Sequence, residues 1–262
     1  MDGDLRPTAK SRRLQAFRRR LIRKVPAWYS PWAHLAGTVG VGVATLCAAA
    51  PRLEGPAPSD FITIPVALVF ANLVEWLAHK HLMHHRRRPF TVLFDRHTPE
   101  HHGVYGYETM AIEDPRELRL VLIPALGVLG IVLLAAPAAL VAGLLVNDNV
   151  GWLFLMTAAV YVVGYELSHL AYHLPERSLV YRLPFLRALR EHHARHHHPE
   201  LMQKANFNVT LPLFDALFGT LASARAVEQA VKRARASARS PASSHRGGGL
   251  VSRRVRRESA GP

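Results

Sequence analysis

Long apolar blocks dominate this chain and decide what it can fold into. The first two cover residues 33–50 and 61–78, and a short proline-rich loop joins them. Each has about 18 residues, close to the roughly 20 that an α-helix needs to cross a hydrocarbon core about 30 Å thick. Charged residues fall between and outside the blocks, because the bilayer interior excludes unpaired charge. The sequence therefore predicts an all-α integral membrane protein.

The later apolar sequence is interrupted by Pro137 and by the polar residues 147–149. Because proline removes a helical hydrogen bond, we predict a third span over about 118–135 that continues to 146 as a bent or re-entrant segment. The fourth span is predicted over about 150–168. The chain would then have about four transmembrane helices in two hairpins.

Basic residues are distributed unevenly about these predicted spans. Of the 33 lysines and arginines, 32 lie on one side and only Arg52 lies on the other. Since basic loops mark the cytoplasmic side, we predict a multi-pass protein with both termini cytoplasmic. Membrane orientation and contact with anionic lipid headgroups explain the net charge of +14, and we expect no nucleic acid partner. The alanine- and arginine-rich composition favours a bacterial inner membrane.

Two segments flank the membrane-embedded domain, which we place at 33–222. Residues 1–32 are basic, and their apolar residues recur at helical spacing between Leu14 and Ile22. This pattern predicts an amphipathic helix on the membrane surface, after a disordered extreme N-terminus. Residues 223–262 are basic and have too few apolar residues to pack, which predicts a mostly disordered tail.

Fourteen of the 16 histidines fall in four clusters. The first cluster follows the second span and is followed by the second cluster. The third cluster follows the fourth span and is followed by the fourth cluster. The clusters comprise His79, His81, His84 and His85; His97, His101 and His102; His169 and His173; and His192, His193, His196, His197 and His198. Because both hairpins end on the same side, we predict a histidine-rich helical cap on the cytoplasmic face.

Neutral imidazole is a ligand for iron, zinc, copper and nickel. His169 and His173 are four residues apart and can bind one ion from one helix face. His79 and His84 are five apart, so we predict that their helix frays or ends between them. Adjacent histidines can reach two neighbouring ions. About eight to ten imidazoles exceed the four ligands of one tetrahedral zinc, so two metal ions are the economical interpretation.

Some residues are interpreted as outside the site. The single cysteine, Cys47, lies inside an apolar block, and one cysteine can form neither an intramolecular disulfide nor a multi-thiolate metal site. The histidines interpreted as bystanders are His34, His81, His85, His198 and His245. An alternative function is a non-catalytic metal-binding membrane protein, such as a sensor or a metal carrier.

The order of the histidine motifs resembles that of the fatty acid hydroxylase and sterol desaturase superfamily. The resemblance covers about residues 61–220 and rests on H-x4-H, H-x3-HH, H-x3-H and H-x2-HH, with NFNVTLPLFDALFGT after them. It implies two iron ions, for which zinc could substitute, and O2 as a co-substrate. The ligands that it implies are His79, His84, His97, His101, His102, His169, His173, His193, His196 and His197.

The resemblance also implies an activity. Members are membrane-bound di-iron oxygenases that hydroxylate or desaturate an unactivated C–H position of a lipid, which would reach the metals from within the bilayer. We expect a separate electron donor of the ferredoxin or cytochrome b5 type, with its reductase, because nothing in this chain resembles such a domain.

Four further residues are candidates for orienting the ligand imidazoles. Glu75 and Glu166 lie about one helical turn before the first ligands of their clusters and are predicted to accept an imidazole N–H. Asn206, after the last cluster, could act in the same way. His192 is either an outer partner or a substitute ligand, because an H-x3-H register starting at it is also available.

Overall fold

The computed structural model describes residues 9–239, in which every regular element is helical. The extreme N-terminus, the end of the basic tail and His245 lie outside the described residues. The helices are α1 Ala9–Arg23, α2 Pro31–Ala49, α3 Thr63–Ala78, α4 Thr91–Arg96, α5 His102–Val104, α6 Leu118–Val121, α7 Ala125–Leu145, α8 Asp148–Tyr172, α9 Pro184–His196, α10 Leu213–Leu217 and α11 Ala224–Arg239.

Within residues 9–239, four helical segments are long and apolar enough to cross a membrane, which confirms the predicted all-α membrane fold. They are Pro31–Arg52, Pro58–Met83, Pro115–Leu145 and Asp148–Tyr172. Helix α8 lies at the centre and packs against α2, α3 and α7. Helix α2 approaches α8 closely at Gly42, where an added Cβ would lie 2.6 Å from a Val163 methyl group. Small residues allow this contact between membrane helices.

The third span differs from its prediction. Helix α7 runs without a break through Pro137, and the interruption falls instead between α6 and α7, at Pro124. A residue before proline avoids helical backbone, and other groups satisfy the polar atoms that this break frees. Thr38 donates its hydroxyl to the Ile123 carbonyl at 3.0 Å, and the Ile123 N–H donates to Glu166 at 2.6 Å. The predicted re-entrant segment beyond residue 135 was therefore wrong.

Helix α1 is amphipathic, but its apolar face is covered by protein. Leu21 is buried in a cluster with Val104, Tyr105 and neighbouring apolar residues. Arg18 is also buried and forms ion pairs with acidic residues of the segment before α6. The prediction of a helix lying on the lipid surface was wrong for this face, because the chain returns beneath it and supplies the apolar contacts.

The beginning of the basic tail is helical rather than disordered. Helix α11 places Val227 and Ala230 against Leu201 in a small buried cluster, and a Glu228–Lys232 pair four residues apart supports the helix. The prediction of disorder was wrong for 224–239, since a short stripe of small apolar residues is enough to dock it.

Candidate metal centre

Ten histidines converge at one end of the bundle, where α3 and α8 leave the membrane. They form two sets of five, and within each set one ring nitrogen per residue lies within 4.8 Å of the others. The first set consists of His79, His84, His97, His102 and His196. The second set consists of His101, His169, His173, His193 and His197. Together they contain every histidine that the resemblance implies as a ligand.

The first set depends on two π turns. His79–Met83 continues α3 as a π-helix, and His97–His101 continues α4 in the same form. A π turn bonds residue i to residue i+5, as the His102 N–H does to the His97 carbonyl. Histidines five residues apart, such as His79 and His84, therefore lie on the same face of the helix. The prediction that α3 frays or ends between its two ligands was wrong, because the helix widens instead.

The second set is built on two regular α-helices. It also takes one member from each of two adjacent histidine pairs, His101–His102 and His196–His197. His169 in α8 and His193 in α9 each pair with the C-cap histidine four residues later, so each pair shares a face at the end of its helix. His196 and His197 are adjacent, but their rings lie at 89° and enter different sets. The sets are themselves in contact, since the rings of His102 and His197 stack with their centroids 4.2 Å apart.

Backbone carbonyls orient the rings. The Nδ1 atoms of five histidines bond to carbonyls of other segments, namely His79 to Phe207, His101 to Leu120, His173 to Met110, His196 to Ala205 and His197 to Tyr105. A carbonyl only accepts, so each Nδ1 carries the proton and each Nε2 keeps its lone pair. Nε2 atoms face one another at 3.0–3.3 Å within the sets. Converging lone pairs at this separation suit a bound cation.

Burial keeps these rings in the neutral form that binds metals. Eight of the ten lie outside the spans, and burial lowers the pKa of each, with neighbouring imidazoles adding to the effect. The pKa of His84 falls to about 2. At neutral pH all eight are therefore available as ligands.

Glu75 does not accept an imidazole N–H, contrary to the prediction. One carboxylate oxygen accepts the backbone N–H groups of Val209 and Thr210, and the other accepts the Thr210 hydroxyl at 2.6 Å. A buried carboxylate needs such donors, and the unpaired N–H groups of a loop supply them. Glu75 thus ties α3 to the loop whose Phe207 carbonyl holds His79.

Glu166 likewise bonds to backbone rather than to imidazole. One oxygen accepts from the Ile123 N–H at 2.6 Å, while the other is buried and has no hydrogen-bond partner among the described residues. The prediction for Glu166 was wrong because the break before α7 leaves an N–H that the carboxylate satisfies.

His192 lies outside both sets, so the register that starts at it is not used. Its Nε2 donates to the Asn208 carbonyl at 3.1 Å and lies 3.3 Å from the Asp215 carboxylate. Asn206 bonds to the His192 carbonyl at 2.8 Å and to the Ala222 N–H at 2.7 Å, and it does not orient an imidazole ring. Both residues instead brace the loop that follows α9.

A cavity that sequence analysis missed adjoins both sets. Its volume is about 160 Å³, and its lining is mainly apolar, with contributions from α4, α6, α7 and α8. His97 of the first set and His101 and His169 of the second set reach it, and Arg96 and Glu166 are its two charged residues. The cavity and the carbonyl partners have no sequence signature, because segments far apart in the chain form them.

The bundle and the paired histidine sets define the class of all-helical membrane proteins with a histidine-lined site at one membrane face. A family model for fatty acid hydroxylases matches residues 64–220, more than half of the chain. The chain belongs to the fatty acid hydroxylase family, which confirms the resemblance and makes it an oxidoreductase-type enzyme that acts on lipid.

A solved structure shares this fold. It is described as full-length Scs7p with only the hydroxylase domain visible, and it has a TM-score of 0.51 and 21% sequence identity, covering 74% of this chain and 67% of that chain. At that identity the likeness concerns the fold alone. No curated protein sequence matches this chain significantly.

Proposed function

We propose that the chain is a membrane-bound di-iron oxygenase that hydroxylates an unactivated C–H position of a lipid. The observation that carries the proposal is the pair of buried five-imidazole sets in contact with each other. Replacing C–H by C–OH with O2 also consumes two electrons and two protons and releases water. Two neighbouring ions suit this chemistry, whereas one structural ion would need only one of the sets.

The donor set fits iron. Neutral imidazole nitrogens suit iron as well as zinc, and the sets contain no thiolate. When bound, two irons would supply the reduction of O2 and the oxidising power that the C–H bond requires. The protein's own part is to hold the Nε2 atoms of five ligands inward through carbonyls on Nδ1, and to exclude water with the buried cluster of Val104, Tyr105 and Leu120, whose Tyr105 carbonyl holds His197.

The cavity beside the sets is the proposed place of the reacting carbon. Val92 and Leu93 of α4 line it together with residues of α7 and α8. At about 160 Å³ it is smaller than the roughly 300–1,000 Å³ of typical ligand pockets. We infer that only part of an acyl or alkyl chain enters, while the rest stays in the bilayer.

Electrons would come from a separate donor of the ferredoxin or cytochrome b5 type, with its reductase. The bias of basic residues supports a cytoplasmic position for the histidine sets and for both termini. In a bacterium this membrane would be the inner one. The donor would then approach the face on which α9 and α11 lie.

The test combines metal content with oxygen consumption. The chain, purified in detergent and loaded with iron, should hold about two irons and, after reduction with dithionite, consume O2 only when lipid extract is present. Fewer than about one metal per chain, or an unchanged metal content in His173→Ala, would contradict the proposal. His81→Ala is the matched control, since His81 belongs to neither set. Metal binding without lipid-dependent O2 consumption would instead support a sensor or carrier.

A further inference from the structure

A second pocket lies away from the two histidine sets, in the segment that joins α8 to α9. Its volume is about 530 Å³. Four arginines, Arg177, Arg182, Arg187 and Arg190, and a single carboxylate, Glu176, dominate its lining. The pocket is therefore strongly positive and suits an anion.

The arginines differ in their partners. Arg190 pairs with Glu176 at 3.3 Å and lies over the Tyr181 ring at 5.2 Å. Arg177 and Arg182 have no ion-pair partner within residues 9–239. Two guanidinium groups are thus left to bind an anion from outside, and the planar guanidinium matches a phosphate in a bidentate geometry.

The start of α9 adds to the positive potential. The helix begins beside the pocket, and its N-cap residue, Leu183, provides no side-chain hydrogen bond to the first turn. The uncapped N–H groups carry a partial positive charge and favour phosphate. Arg182 just precedes this terminus and Arg187 follows it by one turn, and both line the pocket.

The position of the pocket relates it to the membrane surface. The Tyr181 hydroxyl donates to the Leu174 carbonyl at 3.1 Å, just beyond the end of the fourth span at Tyr172. Leu179, Leu183 and Phe185 are large apolar side chains beside the arginines, with exposures of 69%, 48% and 59%. Arginines next to exposed apolar side chains match the boundary between phosphate headgroups and acyl chains.

We propose that this pocket binds the phosphate of an anionic membrane phospholipid, whose acyl chains lie on Leu179, Leu183 and Phe185. The inference goes beyond the proposed function, because it concerns neither the substrate nor the metals. An acidic protein would also meet the arginines, but it would leave the apolar side chains at the end of the span without a role.

The experiment compares Arg177→Gln/Arg182→Gln with Arg87→Gln/Arg88→Gln, which removes the same charge from another exposed segment. Each full-length protein is reconstituted in nanodiscs of phosphatidylcholine and phosphatidylglycerol and re-extracted, and the retained lipid is identified by native mass spectrometry. Wild type and control should retain phosphatidylglycerol in preference to phosphatidylcholine. The pocket variant should retain about tenfold less of it.

Three results would overturn the proposal. One is equal phosphatidylglycerol retention by all three proteins. Another is displacement of the lipid by millimolar inorganic phosphate, which would assign the pocket to a free anion. The third is unchanged lipid retention together with lost binding of an acidic carrier protein. Leu179→Ser/Phe185→Ser keeps the arginines and should also weaken lipid retention, because the acyl chains lose their apolar contacts. Equal melting temperatures would show that the variants are folded.

Discussion

His101 and His102 are adjacent in the chain, but their rings lie at 87° and belong to different histidine sets. The Nδ1 of His101 bonds to the Leu120 carbonyl at 3.0 Å, whereas the Nε2 of His102 faces the Nε2 of His97 at 3.0 Å. The π turn ends at His101, and there the chain directs His101 into the second set and His102 into the first. Changes at these neighbours should therefore have separable effects.

His101→Ala and His102→Ala should each lower the iron content from about two ions to about one per chain, because each removes a ligand from one set only. Elemental analysis of purified protein measures this content. His85→Ala, at an exposed position outside both sets, should leave it unchanged. Loss of all the iron from both variants would show that the sets do not act as separate sites.

Arg18→Ala should destabilise the protein through the residues that hold His197. Arg18 is buried, pairs with Glu117 at 3.5 Å and lies over the Tyr105 ring. The Tyr105 hydroxyl donates to Glu117 at 2.9 Å, and the backbone carbonyl of Tyr105 accepts from the Nδ1 of His197. Leaving a buried carboxylate without its partner costs about 3–5 kcal/mol, so the free energy of unfolding should fall by that order.

Denaturant titration in detergent measures the effect of Arg18→Ala. The exposed Arg19 on the same helix gives the control, and Arg19→Ala should change the free energy of unfolding by less than about 0.5 kcal/mol. Equal effects of the two substitutions would mean that α1 does not support the histidine layer.

Acidification should destabilise the metal-free protein. Burial lowers the pKa of the eight ligand histidines outside the spans below the ordinary value of about 6.5. Below that value the unfolded chain binds more protons than the folded chain, so the stability present above pH 6.5 is lost as the pH falls. The slope is about 1.4 kcal/mol per pH unit for each such histidine.

Unfolding of chelator-treated protein between about pH 7.5 and 5 measures this slope. Stability that stays constant or increases on acidification would contradict the neutral, buried state of the rings. Iron-loaded protein should be more stable at every pH in this range, because the metal binds the folded chain alone.

Val92→Trp should reduce lipid turnover without removing metal. Val92 lines the cavity beside the histidine sets and is 59% exposed, so a larger ring can fit without disturbing the core. The ring would occupy space that we assign to the substrate chain, and lipid-dependent O2 consumption should fall about tenfold or more. Leu140→Trp, on the exposed face of α7, is the control. Normal turnover in Val92→Trp would place the substrate elsewhere.

The four spans were predictable because bilayer thickness and the cost of buried charge act on composition alone. The position of the break in the third span was not predictable in this way. Pro137 was expected to interrupt the third span, but the interruption lies at Pro124, where Thr38 and Glu166 satisfy the freed backbone groups. Those two partners come from other helices, α2 and α8, and no local sequence pattern predicts them.

The histidine spacings and the apolar blocks, both local properties of the chain, determined by themselves that ten imidazoles would gather at one membrane face. Only the tertiary structure decided which imidazole enters which set. That choice depends on π turns and on carbonyls such as those of Phe207 and Leu120, which orient His79 and His101 from distant parts of the chain. The tertiary structure also turned Glu75 and Glu166 away from the imidazoles, because unpaired backbone N–H groups nearby bind a buried carboxylate more directly.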